Sequence, residues 1–216
     1  MTNLTARKIL QIITSQSTVE GGGFKVRRPF PTQHVDHIDP FLLLDEMGPA
    51  DYAPYKAVGA PSHPHRGFET FTYMIDGTFQ HQDSHGGGGV IQDGATQYMT
   101  AGSGVLHIET PPDELVMAGG VFHGIQLWIN LPADKKMLEP TYQALEGGDV
   151  VLLSSQDGGA QIAVDGRAKV PANAPLPQPG DLRKRRLVQA VAVHQALQRR
   201  QLAAPPARFG LGGLLL

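Results

Sequence analysis

Between Phe68 and Leu131 the chain is a succession of short β-forming runs, each closed by a turn. That pattern leaves little room for anything but an antiparallel, all-β fold. Phe68 to Ile75 reads Phe-Glu-Thr-Phe-Thr-Tyr-Met-Ile, dense in β-branched and aromatic residues. Asp76-Gly77 follows, and because both central residues of a type I′ turn need positive φ, this pair predicts a hairpin with Thr78 to Asp83 as the returning partner. Gly86 to Gly89 is a loop rather than a phosphate cradle, since neither Lys-Ser/Thr nor a helical pattern comes after it. Turns at Asp93-Gly94 and Gly102-Ser103-Gly104 separate strands expected at Thr96 to Thr100 and Val105 to Thr110. Val121 to Leu131 is the longest strand expected, with Val121, Ile125, Leu127, Ile129 and Leu131 as its apolar positions.

Upstream, Ile9-Leu10 and Ile12-Ile13 fit either a strand or a short helix. Phe24 to Arg28 alternates apolar and basic residues, which predicts a half-exposed strand, and Pro29, Pro31 and Thr32 turn the chain. Phe41 to Leu44 is a short apolar run between turn formers, as in a buried strand. The Pro-, Gly- and Ala-rich stretch from Gly48 to Pro61 reads as a long irregular loop.

That loop leads into His63-Pro64-His65-Arg66-Gly67-Phe68-Glu69. In a strand, residues i and i+2 share a face, so His63 and His65 can aim two imidazoles at one point. His107 and Glu109 repeat the spacing on a later strand. If the two strands are neighbours, about 4.8 Å apart, three imidazoles and a carboxylate converge on one metal ion. That donor set suits Fe(II), with Mn(II), Ni(II), Cu(II) and Zn(II) compatible with the same groups. The chain has no cysteine, so thiolate ligands, iron–sulfur clusters and a thiol nucleophile are excluded. Glu109 is also read as a general base. Glu69 is taken as structural support. His81 and His85 are read as ordinary histidines, and His123 as a candidate for lining the pocket. Asp45 and Glu46 are expected to bond loop backbone, and Phe68, Phe71, Met74 and Trp128 to fill the core.

Four stretches closely resemble the pirins, which belong to the cupin superfamily: Asp36 to Glu46, His63 to Thr70, Met99 to His107, and Gly124 to Pro132. The resemblance covers roughly residues 15–150. It implies a double-stranded β-helix barrel, an iron site at His63, His65, His107 and Glu109, and, in some members, quercetin 2,3-dioxygenase activity on flavonols with dioxygen. Other members act as transcriptional cofactors or enzyme-binding regulators. The alternative expectation is therefore a metal-dependent regulatory protein with a protein partner and no turnover; a non-oxidative cupin enzyme is a third.

Pirins carry a second barrel after the first, and residues beyond about 160 do not resemble it. Residues 1–155 are expected to form the pirin-like barrel. Residues 156–216 are expected to be a divergent, truncated or frame-altered region with a Pro-rich linker at 171–180 and a helix at 181–202. The Arg183-Lys184-Arg185-Arg186 run reads as a solvated helix face, and the final Gly210 to Leu216 as an unanchored tail. A net charge of −2 gives no case for nucleic acid or membrane as partner. No signal peptide or membrane-length apolar run is evident, so a cytoplasmic location is expected.

Overall fold

A computed structural model describes residues 11–146, 150–154, 161–165 and 214–215 of the 216. The strands, in chain order, are β1 (Ile12–Ile13), β2 (Gln16–Glu20), β3 (Phe24–Phe30), β4 (Phe41–Tyr52), β5 (Ala60–His65), β6 (Phe68–Asp76), β7 (Phe79–Asp83) and β8 (Gly88–Ile91). They continue with β9 (Thr96–Thr100), β10 (Val105–Thr110), β11 (Gly120–Asn130), β12 (Thr141–Leu145), β13 (Val150–Ser154), β14 (Gln161–Asp165) and β15 (Leu214–Leu215). One short helix, α1 (Asp113–Ala118), precedes β11.

The chain divides into two units, residues 1–144 with 209–216, and residues 145–208. In the second, β13 and β14 form an antiparallel pair from Val150↔Asp165 to Ser154↔Gln161. The first unit holds a seven-stranded sheet in the order β12-β9-β6-β11-β4-β3-β2 and a four-stranded sheet in the order β5-β10-β7-β8. From β4 to β11 the chain passes repeatedly from one sheet to the other, the two-sheet arrangement expected of a cupin barrel. An apolar cluster joins the sheets: Phe24, Val26, Met47, Met74 and Phe122 come from the larger sheet, and Phe79 and Ile91 from the smaller.

This topology corrects the expected hairpins. Gly77 does take positive φ, at 92°. Yet β6 pairs with β9 and β11, while β7 pairs with β8 and β10, so Asp76-Gly77 carries the chain between sheets. The turns at Asp93-Gly94 and Gly102 to Gly104 also link strands of different sheets. The hairpin lies at 84–87, between β7 and β8, where Asp83 Oδ1 accepts the backbone N–H groups of His85 and Gly87. Turn chemistry reports a tight reversal; it does not report which strand supplies the hydrogen bonds.

The loop expected from Gly48 is also shorter. β4 runs on to Tyr52 because β11 pairs along its length, from Gly120↔Tyr52 to Ile129↔Phe41. β11 has register shifts against β4 between Phe122 and Gly124 and between Trp128 and Ile129, and its burial departs from simple alternation: Phe122 and Gly124 are buried, Val121 is exposed, and Ile129 is buried again on the odd positions. Leu214–Leu215 pairs with Ile12–Ile13, so those tail residues are paired. The linker at 171–180 and the helix at 181–202 lie outside the described residues.

Candidate metal centre

β5 and β10 are hydrogen-bonded neighbours, and the register sets His107 opposite His63 and Val105 opposite His65. The pairing supposed from spacing therefore forms. His63, His65 and His107 bring ring nitrogens within 4.8 Å of one another. Glu109 falls past a register shift, opposite Ala60, and its carboxylate groups instead with His81 and His107. His81 comes from β7, on the other side of β10, where it stands opposite Glu109. The expected four ligands thus occupy two overlapping triads that share His107.

The hydrogen bonds run in a chain through these rings. His63 Nδ1 lies 2.6 Å from the Pro61 carbonyl oxygen, which only accepts, so that nitrogen carries a proton. His63 Nε2 faces His107 Nε2 at 2.9 Å, and His107 Nδ1 faces His81 Nδ1 at 3.1 Å. His81 Nε2 meets Asp83 Oδ2 at 3.2 Å. Three neutral imidazoles bring three protons to these four contacts, and both ends of the chain are acceptors. With all three rings neutral, one ring-to-ring contact sets two lone pairs against each other, and a bound cation, a proton or a metal ion, answers that. Two nitrogens held about 2.1 Å from one ion stand about 3.0–3.4 Å apart, close to what is seen. The donor set fits a divalent metal ion.

Glu109 is 4% exposed. Oε1 accepts from Gln97 Nε2 at 2.7 Å and Oε2 from Gln126 Nε2 at 3.0 Å. Tyr142 donates to Gln97 Oε1 at 3.3 Å, which fixes the amide so that its nitrogen points at the carboxylate. Desolvation still pushes the Glu109 pKa up, against the bonds from the two amides and the nearby histidines. Burial, then the charge of His63 and His81, lowers His65 to about 4. Burial, then His65, His63 and His81, lowers His107 to about 2. Both rings are neutral at physiological pH, the form in which imidazole binds metal.

Residues 23–129 match the family model described as Pirin. A pirin-like protein of Caulobacter vibrioides is 40% identical over 161 residues, which are 74% of this chain and 56% of that protein. The chain belongs to the pirin family. Pirin of Homo sapiens is 38% identical over 165 residues, 76% of this chain and 53% of its own. Among solved structures, a quercetin 2,3-dioxygenase from Acinetobacter baumannii superposes with a TM-score of 0.67 at 40% identity, covering 74% of this chain and 57% of that one. This pirin spans about half the length of the curated relatives it matches.

His81 is the residue that sequence reasoning passed over. Its signal was present, since His81 and Asp83 repeat the i, i+2 spacing of the other two pairs. His123 does not reach the centre; it bonds Glu46 Oε1 at 3.0 Å, and Arg27 bonds the same oxygen at 2.6 Å. Asp45 likewise bonds a side chain rather than loop backbone, accepting from Arg28 Nε and Nη2 at 2.7 and 2.6 Å. Glu69 accepts from Thr100 Oγ1, in keeping with a structural role. Phe68 and Trp128 do not only pack: they stack on each other, and each sets an edge against His65 with ring centroids 5.0 Å apart. Among the described residues no helix is long and apolar enough to cross a membrane.

Proposed function

We propose that this pirin holds one divalent metal ion, Fe(II) foremost, at His63, His65 and His107 with Glu109 as the fourth ligand, and that it is a quercetin 2,3-dioxygenase cleaving flavonols with dioxygen. The observation that carries the reading is the convergence of three ring nitrogens from two paired strands within 4.8 Å, beside a buried carboxylate. The likeness to the dioxygenase from Acinetobacter baumannii supports the same substrate class.

When bound, such an ion supplies Lewis acidity and one-electron chemistry toward dioxygen. The chain's own residues do the rest. Phe68 and Trp128 offer an aromatic wall next to His65 against which a planar ring can pack. Glu109, its pKa raised by burial, takes the proton of the flavonol hydroxyl as a general base. Gln97 and Gln126 keep its two oxygens in place during that transfer.

The test is oxygen uptake by the Fe(II)-loaded full chain with quercetin and related flavonols, followed together with loss of flavonol absorbance. Uptake coupled to flavonol loss is expected, and Glu109→Gln should reduce it at least about 100-fold. Tight metal binding with no uptake on any flavonol would sink the enzymatic reading and leave a metal-dependent binding protein.

A further inference from the structure

Which of the two ring-to-ring contacts lacks a proton decides where a metal sits, and the residues that decide it are on β7. We propose that His81, anchored by Asp83, is a positioning residue: it accepts the Nδ1 proton of His107 and so turns the His107 Nε2 lone pair toward His63, His65 and the metal. This rests on the reading that those three histidines hold one.

β7 and β10 are paired so that Asp83 faces His107 and His81 faces Glu109. The His81 and Asp83 side chains are 1% and 4% exposed. Asp83 is an acceptor throughout: the backbone N–H groups of His85 and Gly87 and the His81 ring all donate to it, and these bonds hold its pKa below the usual carboxylate range although burial alone would raise it. His81 must therefore present Nε2–H to Asp83, which leaves Nδ1 as an acceptor. The contact at 3.1 Å is then His107 Nδ1–H donating to His81 Nδ1. The His81 ring is held in plane by stacking on Tyr142, with centroids 4.5 Å apart at 11°.

The unprotonated gap then falls between His107 and His63, where the buried, neutral His65 adds a third imidazole. On this assignment the triad of His81, His107 and Glu109 is not a second ion site. Its His107 and Glu109 belong to the first, and His81 supports that site, in the way a hydrogen-bonded partner commonly fixes the tautomer and orientation of a ligating histidine.

Cobalt(II) titration of the full chain tests this, with visible absorption reading occupancy and proton NMR reading the exchangeable ring N–H signals shifted by the ion. The wild type should take one ion and show a slowly exchanging His107 N–H. His81→Phe keeps a ring on Tyr142 but removes the acceptor; affinity should fall about 10–100-fold and that N–H should exchange rapidly. His81→Gln restores an acceptor oxygen and should recover most of both. Unchanged affinity and exchange in His81→Phe overturns the proposal. So does loss of binding as complete as in His65→Ala, or uptake of two ions by the wild type, because either makes His81 a ligand. Nitrogen-15 spectra of the zinc-loaded wild type need no variant: His81 protonated at Nδ1 rather than Nε2 also overturns it. If His65→Ala binds as tightly as the wild type, the underlying metal reading fails instead, whatever His81 does.

Discussion

Phe79 and His81 stand two residues apart on one face of β7, both almost wholly buried, and they belong to different interiors. Phe79 packs against Phe24 and Phe122, with ring centroids at 6.4 and 5.3 Å, in the apolar layer between the sheets. His81 begins a polar layer that runs through His107 and Glu109 to His65. A further apolar group, Met99, Ala101 and Val105, forms a separate cluster. Burial is equal in the two layers; its sign is not. Apolar burial stabilises the barrel by about 25 cal/mol per Å² removed from water. The polar layer costs desolvation that its hydrogen bonds only offset, so it contributes far less to stability than the apolar layer.

The sharpest way to break this contrast is to truncate each layer and compare metal-free stability. Phe122→Ala should cost about 3–5 kcal/mol in denaturant unfolding, because Phe122 packs against Phe24 and Phe79 at the cluster's centre. A loss below about 1 kcal/mol would mean that the apolar layer does not carry the fold.

The next effect is on pH. His65 and His107 have folded pKa values below their ordinary 6.5, so the unfolded chain binds more protons beneath that pH. Their stability contribution is complete above about 6.5 and is lost as pH falls toward about 4 for His65, and further for His107. Each group contributes a slope of at most about 1.4 kcal/mol per pH unit. Glu109 opposes them, because its raised pKa favours the folded state on the acid side. The full slope, approaching about 2.7 kcal/mol per pH unit between roughly pH 5 and 6, should therefore appear in metal-free Glu109→Gln and be shallower in the wild type. A flat profile in that variant would show that the rings are not neutral in the fold.

At neutral pH Glu109→Gln should change metal-free stability by no more than about 1 kcal/mol, since removing a buried charge is offset by an amide NH2 that replaces one of the two oxygens accepting from Gln97 and Gln126, while metal affinity falls at least about 10-fold. A clear loss of metal-free stability would mean that the carboxylate stabilises the barrel by itself. Smallest is Trp128→Phe. Among the described residues, Trp128 Nε1 is the one buried side-chain nitrogen or oxygen with no hydrogen-bond partner. Its removal relieves a desolvation cost while giving up part of the indole's packing, so the net change should stay within about 1 kcal/mol by the same unfolding measurement.

Much of the centre was legible because strand geometry is local: with a two-residue period, His63/His65 and His107/Glu109 had to share faces. His81/Asp83 obeyed the same rule and was overlooked, because β7 was expected to pair with β6 across Asp76-Gly77. Placed in that hairpin, His81 has no reason to meet His107. The glycine turn is real, but a strand finds its partner through contacts distant in sequence, which no four-residue window reports. Phe122 was hidden for a related reason: burial along β11 does not alternate throughout, with Phe122 and Gly124 buried at one end and Ile129 at the other.

By itself the sequence determined what the chain can bind with: imidazoles and carboxylates, no thiolates, carried on strands that set them in pairs. It also determined family membership over residues 23–129. Only the tertiary structure decided how the pairs combine. Laying β5, β10 and β7 side by side joined three pairs where two were expected, put Glu109 beside His81, and used Asp83 to set the protons along the row. The physical reason is that spacing along a strand is covalent, whereas the choice of neighbour, and with it the direction of every hydrogen bond between these rings, comes from sheet order and register.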